Sequence, residues 1–238
     1  MNQFRLLAAA VAAAGLLAAM PAAAVVKIAK YTGTVAHGYD QTGVFGAPNT
    51  DLTGYSWVAT YTYDRALGGY QFTDGVSYDN SYGGAGYGIA GSPVLSSTIT
   101  INGVTKVLPG AWAGYVYTAT APYVQHFNKD FLDDGITYIS NYNDNFSYIA
   151  GAPASLDQNF GPVASASSYG YTQWQTFDYT TGTYTEYAYA RMSTDAVYSV
   201  GNAVPEPASW ALMIAGFGMV GGAMRRTARQ RARTVATA

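Results

Sequence analysis

The chain has 238 residues, including 22 tyrosines and 27 glycines, with no cysteine and a formal net charge of −2. The lack of cysteine excludes disulfide bonds and thiolate metal sites. Residues 25–203 carry six Lys and Arg side chains against thirteen Asp and Glu, a net charge of −7. This acidic balance argues against a nucleic-acid partner, which requires a basic surface.

The first 24 residues have the three parts of a secretory signal peptide. Arg5 provides the positive start, an apolar Ala/Leu run extends from Leu6 to Met20, and Ala22-Ala23-Ala24 supplies small residues for cleavage. We therefore predict a signal peptide over residues 1–24, with cleavage before Val25 and export across the inner membrane.

The body of the chain, residues 25–203, has the composition of one secreted β domain. All the tyrosines lie there, with many Thr, Ser, Asn and Gly residues, which are typical of strands and turns. The segment from Ser56 to Tyr63, SWVATYTY, places its Trp, its Ala and two Tyr at alternate positions. This period of two predicts a half-buried strand. Asn102-Gly103, between two β-branched runs, predicts a type I′ hairpin turn.

Further strands are predicted where short Tyr-, Thr- or Val-rich runs stand between turn residues. They are 27–35, 98–101, 104–107, 112–117, 135–140, 172–179, 184–192 and 196–200. Residues 76–92 contain five Gly and three Ser residues and lack the apolar content of a core segment, so they are predicted to form a mobile surface loop. The whole pattern predicts an all-β fold, an antiparallel β-sandwich or jelly-roll-like single domain. An N-terminal signal-peptide helix and a C-terminal transmembrane helix are expected to flank it.

The C-terminal segment, residues 204–238, is organised as a membrane-targeting signal. Pro205-Glu206-Pro207 precedes an uncharged apolar run, 208–224, and arginines follow at 225, 226, 229, 231 and 233. Seventeen helical residues extend about 25 Å, enough to cross a thin hydrocarbon core. Trp210 near the outer end suits the membrane interface. The positive-inside rule keeps the arginine-rich tail in the cytoplasm and directs the body outward.

Ten positions of this segment follow a known pattern: Pro205, Glu206, Pro207, Trp210, Met213, Gly216, Phe217, Gly218, Arg225 and Arg226. They resemble the PEP-CTERM sorting signal of Gram-negative bacteria, which is also catalogued as an ice-binding-protein C-terminal domain. The resemblance implies recognition by an exosortase, a membrane transpeptidase that removes the hydrophobic tail, in organisms that make an exopolysaccharide matrix. The protein is therefore expected in the inner membrane before processing, and at the cell surface or in the extracellular matrix afterwards.

Catalytic chemistry has little support in the body. His37 and His126 are the two histidines, and no Gly-x-Ser-x-Gly elbow accompanies them. Their number and spacing argue against a catalytic zinc site. No catalytic residue, metal ligand or cofactor is therefore predicted. The acidic group Asp130, Asp133 and Asp134 and the run Asn141–Asn145 suit either calcium or turns, and turns are preferred. Glu186 lies in an alternating, Tyr-rich segment and is expected to be solvated.

The tyrosines provide the sharpest functional hypothesis, because each presents an apolar ring and a polar hydroxyl. Tyr187 and Tyr189 would form a flat row if their strand face points outward. We expect a non-enzymatic binding or structural component of an exopolysaccharide or biofilm matrix. The alternative is a polysaccharide-active enzyme, like a glycoside hydrolase, that uses an aspartate pair. Ice binding, a third possibility, requires threonines repeated across strands, and Thr98 and Thr100 show no such repeat in the sequence.

Overall fold

The computed structural model describes residues 26–110 and 112–201. The predicted signal peptide, 1–24, and the sorting segment, 204–238, lie outside these residues. So do the eight predicted sorting residues, Pro205, Glu206, Pro207, Trp210, Gly216, Gly218, Arg225 and Arg226. Within the described residues, no helix has the length and apolar character needed to span a membrane. The predicted transmembrane helix, 208–224, also lies outside them.

The described chain consists of antiparallel strands, which confirms the predicted all-β class. The strands are β1 (Lys27–Asp40), β2 (Thr50–Asp51), β3 (Ser56–Tyr63), β4 (Tyr70–Thr73), β5 (Tyr78–Gly83), β6 (Val94–Ile101), β7 (Val104–Pro109), β8 (Ala113–Ala119), β9 (Tyr123–Asp133), β10 (Thr137–Ile149), β11 (Phe160–Asp178) and β12 (Thr183–Gly201). Two short 3-10 helices, Arg65–Leu67 and Ala85–Tyr87, precede β4 and follow β5.

All these strands belong to one sheet, in the order β4-β5-β8-β9-β10-β11-β12-β1-β3-β6-β7, with β2 paired to β1. Strands that are distant in this order nevertheless touch. Asn145 on β10 donates a hydrogen bond to the Tyr61 hydroxyl on β3 at 2.7 Å, and Asn128 on β9 donates to Ser97 on β6 at 3.0 Å. The sheet therefore curls so that one arm packs face to face against the other. The first arm contains β4, β5, β8, β9 and β10, the second contains β3, β6 and β7, and β11, β12 and β1 connect them.

One curled sheet thus takes the place of the predicted two-sheet sandwich or jelly roll. Its central strands are too long to end where one layer of a sandwich would end: β11 and β12 have 19 residues each. β12 pairs with β11 on one side and with β1 on the other. Register shifts interrupt both pairings, and such bulges bend and twist strands. The bending supplies the curvature that brings the arms together.

The inner face of the sheet carries the core that the alternation in β3 predicts. Its inward side chains are at most 1% exposed: Trp57, Ala59, Tyr61 and Tyr63. Complete burial of a large apolar side chain stabilises a fold by about 1.5–3 kcal/mol. The predicted hairpin turn is also confirmed, because Asn102 and Gly103 have φ angles of 53° and 79°, as a type I′ turn requires.

Residues 76–92 contain a strand where the sequence predicts a mobile loop. Tyr78–Gly83 forms β5, which lies between β4 and β8, so the loop prediction is wrong there. The inward positions of β5 carry polar side chains, Asp79 and Ser81, and both are almost completely buried. Arg65 compensates the charge of Asp79 with its Nε 2.7 Å from Oδ1, and the Leu156 amide donates to the other oxygen. Because the inward residues of β5 are polar, its sequence lacks the apolar alternation that predicts a strand.

The interior opposite β3 and β6 is also polar. Asn128, Asn143 and Asn145, on β9 and β10, are completely buried where a core usually has apolar side chains. Asn128 and Asn143 both donate to the Ser97 hydroxyl, at 3.0 and 3.2 Å, and Thr172 donates to Asn143 at 2.5 Å. Because burial of an unpaired amide is costly, these bonds between the arms fix how the arms pack.

His126 occupies the centre of this interior. Its Nδ1 lies 2.7 Å from the Tyr31 hydroxyl, and its ring packs against Tyr61 and Tyr63 at centroid distances of 5.4 and 5.0 Å. Burial disfavours the charged imidazolium and lowers the pKa of His126 to about 3. The histidine is therefore a neutral part of the core.

We expect acid to destabilise the protein through His126. An unfolded histidine has a pKa of about 6.5, whereas the folded pKa is about 3. Between these values the unfolded state binds more protons, so the free energy of unfolding rises with pH. From pH 7 to pH 5 the expected loss is about 2 kcal/mol, measured by urea unfolding. His126→Gln removes this slope, and His37→Gln, at an exposed position, retains it. Equal slopes in all three proteins would contradict the assignment.

Candidate functional site

The outer face of the sheet carries a second set of large side chains. Successive side chains of a strand point to opposite faces, so the neighbours of each buried residue point outward. On β8 to β12 the outward positions include Tyr115, Tyr117, Tyr123, Phe127, Tyr142, Phe146, Tyr148, Tyr169, Tyr171, Tyr187 and Tyr189. We call this surface the aromatic face.

The rings of the aromatic face contact one another across the strands. Tyr117 stacks on Tyr123 with centroids 4.7 Å apart, and Tyr123 meets the edge of Phe146 at 6.3 Å. Tyr142 stacks on Tyr171 at 5.5 Å. Separations of 4.5–7 Å are favourable for aromatic pairs. The array is therefore a preorganised apolar surface.

Polar groups lie among the rings. Gln125 donates to the Asp144 carboxylate at 2.9 Å, and the strand register places Asp144 between Phe127 and Tyr171. Burial raises the pKa of Asp144, and the Gln125 hydrogen bond offsets part of that rise. The face therefore combines ring surfaces with a hydrogen-bonding carboxyl group in a partly dry environment.

A pocket of about 220 Å³ lies on the outer surface near the β9–β10 and β11–β12 turns, lined by Tyr138, Gln175, Phe177, Tyr179 and Tyr184. Tyr179 and Tyr184 are 47% and 40% exposed. The Phe177 ring packs edge-on against both of them, with centroid distances of 5.4 and 5.0 Å. Gln175 donates to the Tyr184 hydroxyl at 3.4 Å. The pocket thus has aromatic walls and one amide.

The pocket is continuous with the aromatic face. Tyr184 lies 4.9 Å from Tyr187, which lies 6.3 Å from Tyr189. The expected outward position of Tyr187 and Tyr189 agrees with this arrangement, because Ala188 and Ala190 on the same strand are completely buried in the core. Small inward residues on β12 therefore accompany large outward ones.

The residues considered for catalysis or metal binding are dispersed. His37 is exposed on the outer face, whereas His126 is buried in the interior. Glu186 pairs with Lys106 at 2.9 Å, and its side chain stays 35% exposed. Asp134 accepts the amides of residues 136 and 137 at 2.8 and 2.7 Å, as the turn interpretation predicts. Asn141–Asn145 lie within strand β10, so the turn interpretation is wrong there.

Some threonines lie opposite each other on the outer face of the arm that contains β3, β6 and β7. Thr98 lies opposite Thr60, and Thr100 lies opposite Thr105 with their hydroxyl oxygens 2.7 Å apart. Each of the two has a threonine on one neighbouring strand and a valine on the other, Val107 beside Thr98 and Val58 beside Thr100, so no row of threonines crosses three strands at these positions. Their alignment depends on how β3, β6 and β7 pair, which the linear sequence does not display.

A larger, open cavity of about 710 Å³ lies between the segment after β5 and the start of β6. Glycine, alanine, aliphatic residues and Pro109 form most of its wall, and Ser92 is the one polar side chain among the described residues that line it. Its wall lacks the convergent polar groups that usually accompany a specific ligand site. The pocket of the aromatic face has such a group in Gln175.

Sequence reasoning did not single out Gln125 or Gln175, and it considered Asp144 only as part of the run Asn141–Asn145. β9 was missed because its inward residues, such as His126 and Asn128, are polar. One signal was available in β10, where Tyr, Asp, Phe and Tyr stand at every second position from residue 142 to residue 148. This alternation marks the outward side of the strand.

Three solved structures resemble the chain weakly. A conserved protein of unknown function from Rhodopseudomonas palustris has 12% identity, covers 76% of this chain and 99% of its own, and has a TM-score of 0.15. Rv2717c from M. tuberculosis has 8% identity, coverages of 73% and 92%, and a TM-score of 0.14. An outer membrane channel from Pseudomonas putida has 10% identity, coverages of 77% and 97%, and a TM-score of 0.15. Likeness at this level does not establish a shared fold.

The C-terminal segment provides the specific match. Residues 203–229 match the family model of the PEP-CTERM protein-sorting motif, and this confirms the resemblance carried by Pro205-Glu206-Pro207 and Arg225-Arg226. No curated protein matches the chain. The motif implies export, a membrane-anchored C-terminus before processing by an exosortase, and a position at the surface afterwards. The chain therefore carries a PEP-CTERM protein-sorting motif at its C-terminus.

Proposed function

We propose that the protein is a non-enzymatic component of an extracellular polysaccharide or biofilm matrix and that it binds the polysaccharide through the aromatic face. The observation that carries this proposal is the continuity between the pocket at Tyr179 and Tyr184 and the rings on β12. The sorting motif supports the proposal, because it takes the domain to the surface where such polymers lie.

The chemistry of the face suits a sugar polymer. A pyranose ring has apolar C–H surfaces, which pack on aromatic rings, and hydroxyls at its edge, which need hydrogen-bond partners. Tyrosine supplies a ring and a hydroxyl in one side chain. Gln175 in the pocket and Asp144 in the array add an amide and a carboxyl group. Successive sugars of a chain would therefore meet alternating ring and polar contacts.

Binding without hydrolysis is favoured by the surroundings of Asp144. Glycoside hydrolysis uses two carboxyl groups roughly 5–9.5 Å apart. The residues opposite Asp144 are Phe127 and Tyr171, and its outward neighbours on β10 are Tyr142 and Phe146. The alternative class, a polysaccharide-active enzyme with an aspartate pair, takes its support from the raised pKa of Asp144, a property of general acids.

Removal of the exposed pocket ring is expected to weaken polysaccharide binding. Tyr184→Ala deletes a wall of the pocket, and we expect about tenfold weaker retention of the full-length protein, or ~1.4 kcal/mol. The ligand is the polysaccharide extracted from the source organism, and unrelated polysaccharides test selectivity. The measurement is the bound fraction at increasing polymer concentration.

Tyr55→Ala is the matched control, since Tyr55 is 37% exposed but precedes β3 and lies apart from the aromatic face. It should bind like the wild type. Equal retention of Tyr184→Ala and Tyr55→Ala would contradict the proposed site. Shortening of the polymer during the assay would replace the binding proposal with the enzymatic alternative.

A change in the sorting motif is expected to block processing in the source organism. Glu206→Ala removes the charged residue of Pro205-Glu206-Pro207, so the protein should keep its C-terminal tail and stay in the membrane fraction. Immunoblotting of membrane and extracellular fractions measures this outcome. Thr234→Ala, outside the matched residues 203–229, should be processed normally. Normal processing of both variants would contradict recognition through Glu206.

A further inference from the structure

The aromatic face contains pairs of tyrosines, on neighbouring strands, whose rings stack almost in parallel. Tyr142 on β10 and Tyr171 on β11 have centroids 5.5 Å apart and an interplanar angle of 25°. Tyr117 on β8 and Tyr123 on β9 have values of 4.7 Å and 24°. All four side chains are partly exposed, so small reagents reach them from solvent.

The two rings of each pair face each other across neighbouring strands. Burial, followed by the neighbouring Tyr171 hydroxyl, raises the pKa of Tyr142. Burial, followed by the Tyr117 hydroxyl, likewise raises the pKa of Tyr123. A phenol oxygen is bonded to the ring carbon between the two ortho positions. Stacked rings with centroids 5.5 and 4.7 Å apart therefore bring their ortho carbons within reach of each other after side-chain rotation.

We propose that Tyr142 and Tyr171 form a site of oxidative cross-linking, in which the two rings become joined by a carbon–carbon bond. The Tyr117 and Tyr123 pair has the same geometry and is a second site of this kind. The oxidant is hydrogen peroxide used by a haem peroxidase, outside this chain. The modification is independent of polysaccharide binding, because it requires the hydroxyls of the pair and not a sugar ligand.

The link forms after each phenol of the pair is oxidised by one electron. Each tyrosine loses one electron and its phenolic proton to the oxidant and becomes a phenoxyl radical. The two radicals join at ortho carbons, the two ortho hydrogens leave as protons, and both oxygens regain a proton as the rings become aromatic again. In total, two tyrosines and one hydrogen peroxide give one dityrosine and two waters. The protein loses two hydrogen atoms for each link.

The composition and location of the protein give this link a structural role. The exported chain contains 22 tyrosines and no cysteine, so disulfide bonds are not available to it outside the cell. A link between residues 142 and 171 would close a loop that includes the β10–β11 connection. Covalent closure restricts the unfolded chain and so stabilises the folded state.

The buried pair Tyr31 and Tyr61 provides a control within the same molecule. Its centroids are 5.9 Å apart, but its rings meet at 80° and both side chains have no solvent exposure. Proximity alone would allow this pair to couple. Ring orientation and solvent access together distinguish Tyr142 and Tyr171 from this buried pair.

The test is treatment of the full-length protein with a haem peroxidase and hydrogen peroxide, followed by mass spectrometry. Cleavage before Asp144 and Asp157 separates Tyr142 and Tyr171 onto different peptides. We expect a linked pair of these peptides that is two hydrogens lighter than their sum, together with dityrosine fluorescence. Omission of peroxide should abolish both signals, and peptides of Tyr31 and Tyr61 should remain unlinked.

Phenylalanine variants locate the bond without removing a ring. Tyr171→Phe should abolish the linked peptide, because the variant lacks the phenol. Tyr169→Phe should retain it, since Tyr169 is 41% exposed but stacks on Phe146. Absence of the linked peptide in the wild type, or its persistence in Tyr171→Phe, would overturn the proposal. The linked peptide should form with no polysaccharide in the reaction, so failure of this proposal is distinguishable from failure of the binding proposal.

Discussion

The alternation of side chains along each strand is the constraint on which this structure depends. One sheet has two faces, and the curl covers the inner one by packing the arms together. On β12, burial of Ala188 and Ala190 turns Tyr187 and Tyr189 outward. On β10, burial of Asn143 leaves its neighbour Tyr142 on the outer face. The core and the candidate binding surface are therefore two consequences of the same pleat.

The two faces use polar groups in opposite ways. Inside, amide and hydroxyl groups such as those of Asn128 and Ser97 bond to each other between the arms, and these bonds specify how the sheet closes. Outside, Gln125 and Asp144 bond to each other along the surface and leave further hydrogen-bonding capacity toward solvent. An acidic, cysteine-free domain can therefore combine a fixed interior with an outer surface available to partners.

Sequence reasoning succeeded where local chemistry decides the structure and failed where long-range pairing does. The apolar alternation of Ser56–Tyr63 and the positive φ angles of Asn102-Gly103 are local properties, and both predictions are confirmed. β5 and β9 were missed because their buried positions are polar and acceptable only through partners distant in sequence, such as Arg65 for Asp79. The threonine register and the closure of one sheet depend on strand order, which no local pattern contains. The sorting motif was predictable because it is a short linear signal.

Hydroxyl-radical footprinting of the full-length protein, with and without the polysaccharide of the source organism, tests the central claim most directly. The account predicts that the polysaccharide protects tyrosines of the pocket and the aromatic face, above all Tyr179, Tyr184 and Tyr187, while the labelling of Tyr55 stays constant. Protection confined to the arm of β3, β6 and β7, or no protection at any tyrosine of the aromatic face, would contradict the proposed binding surface.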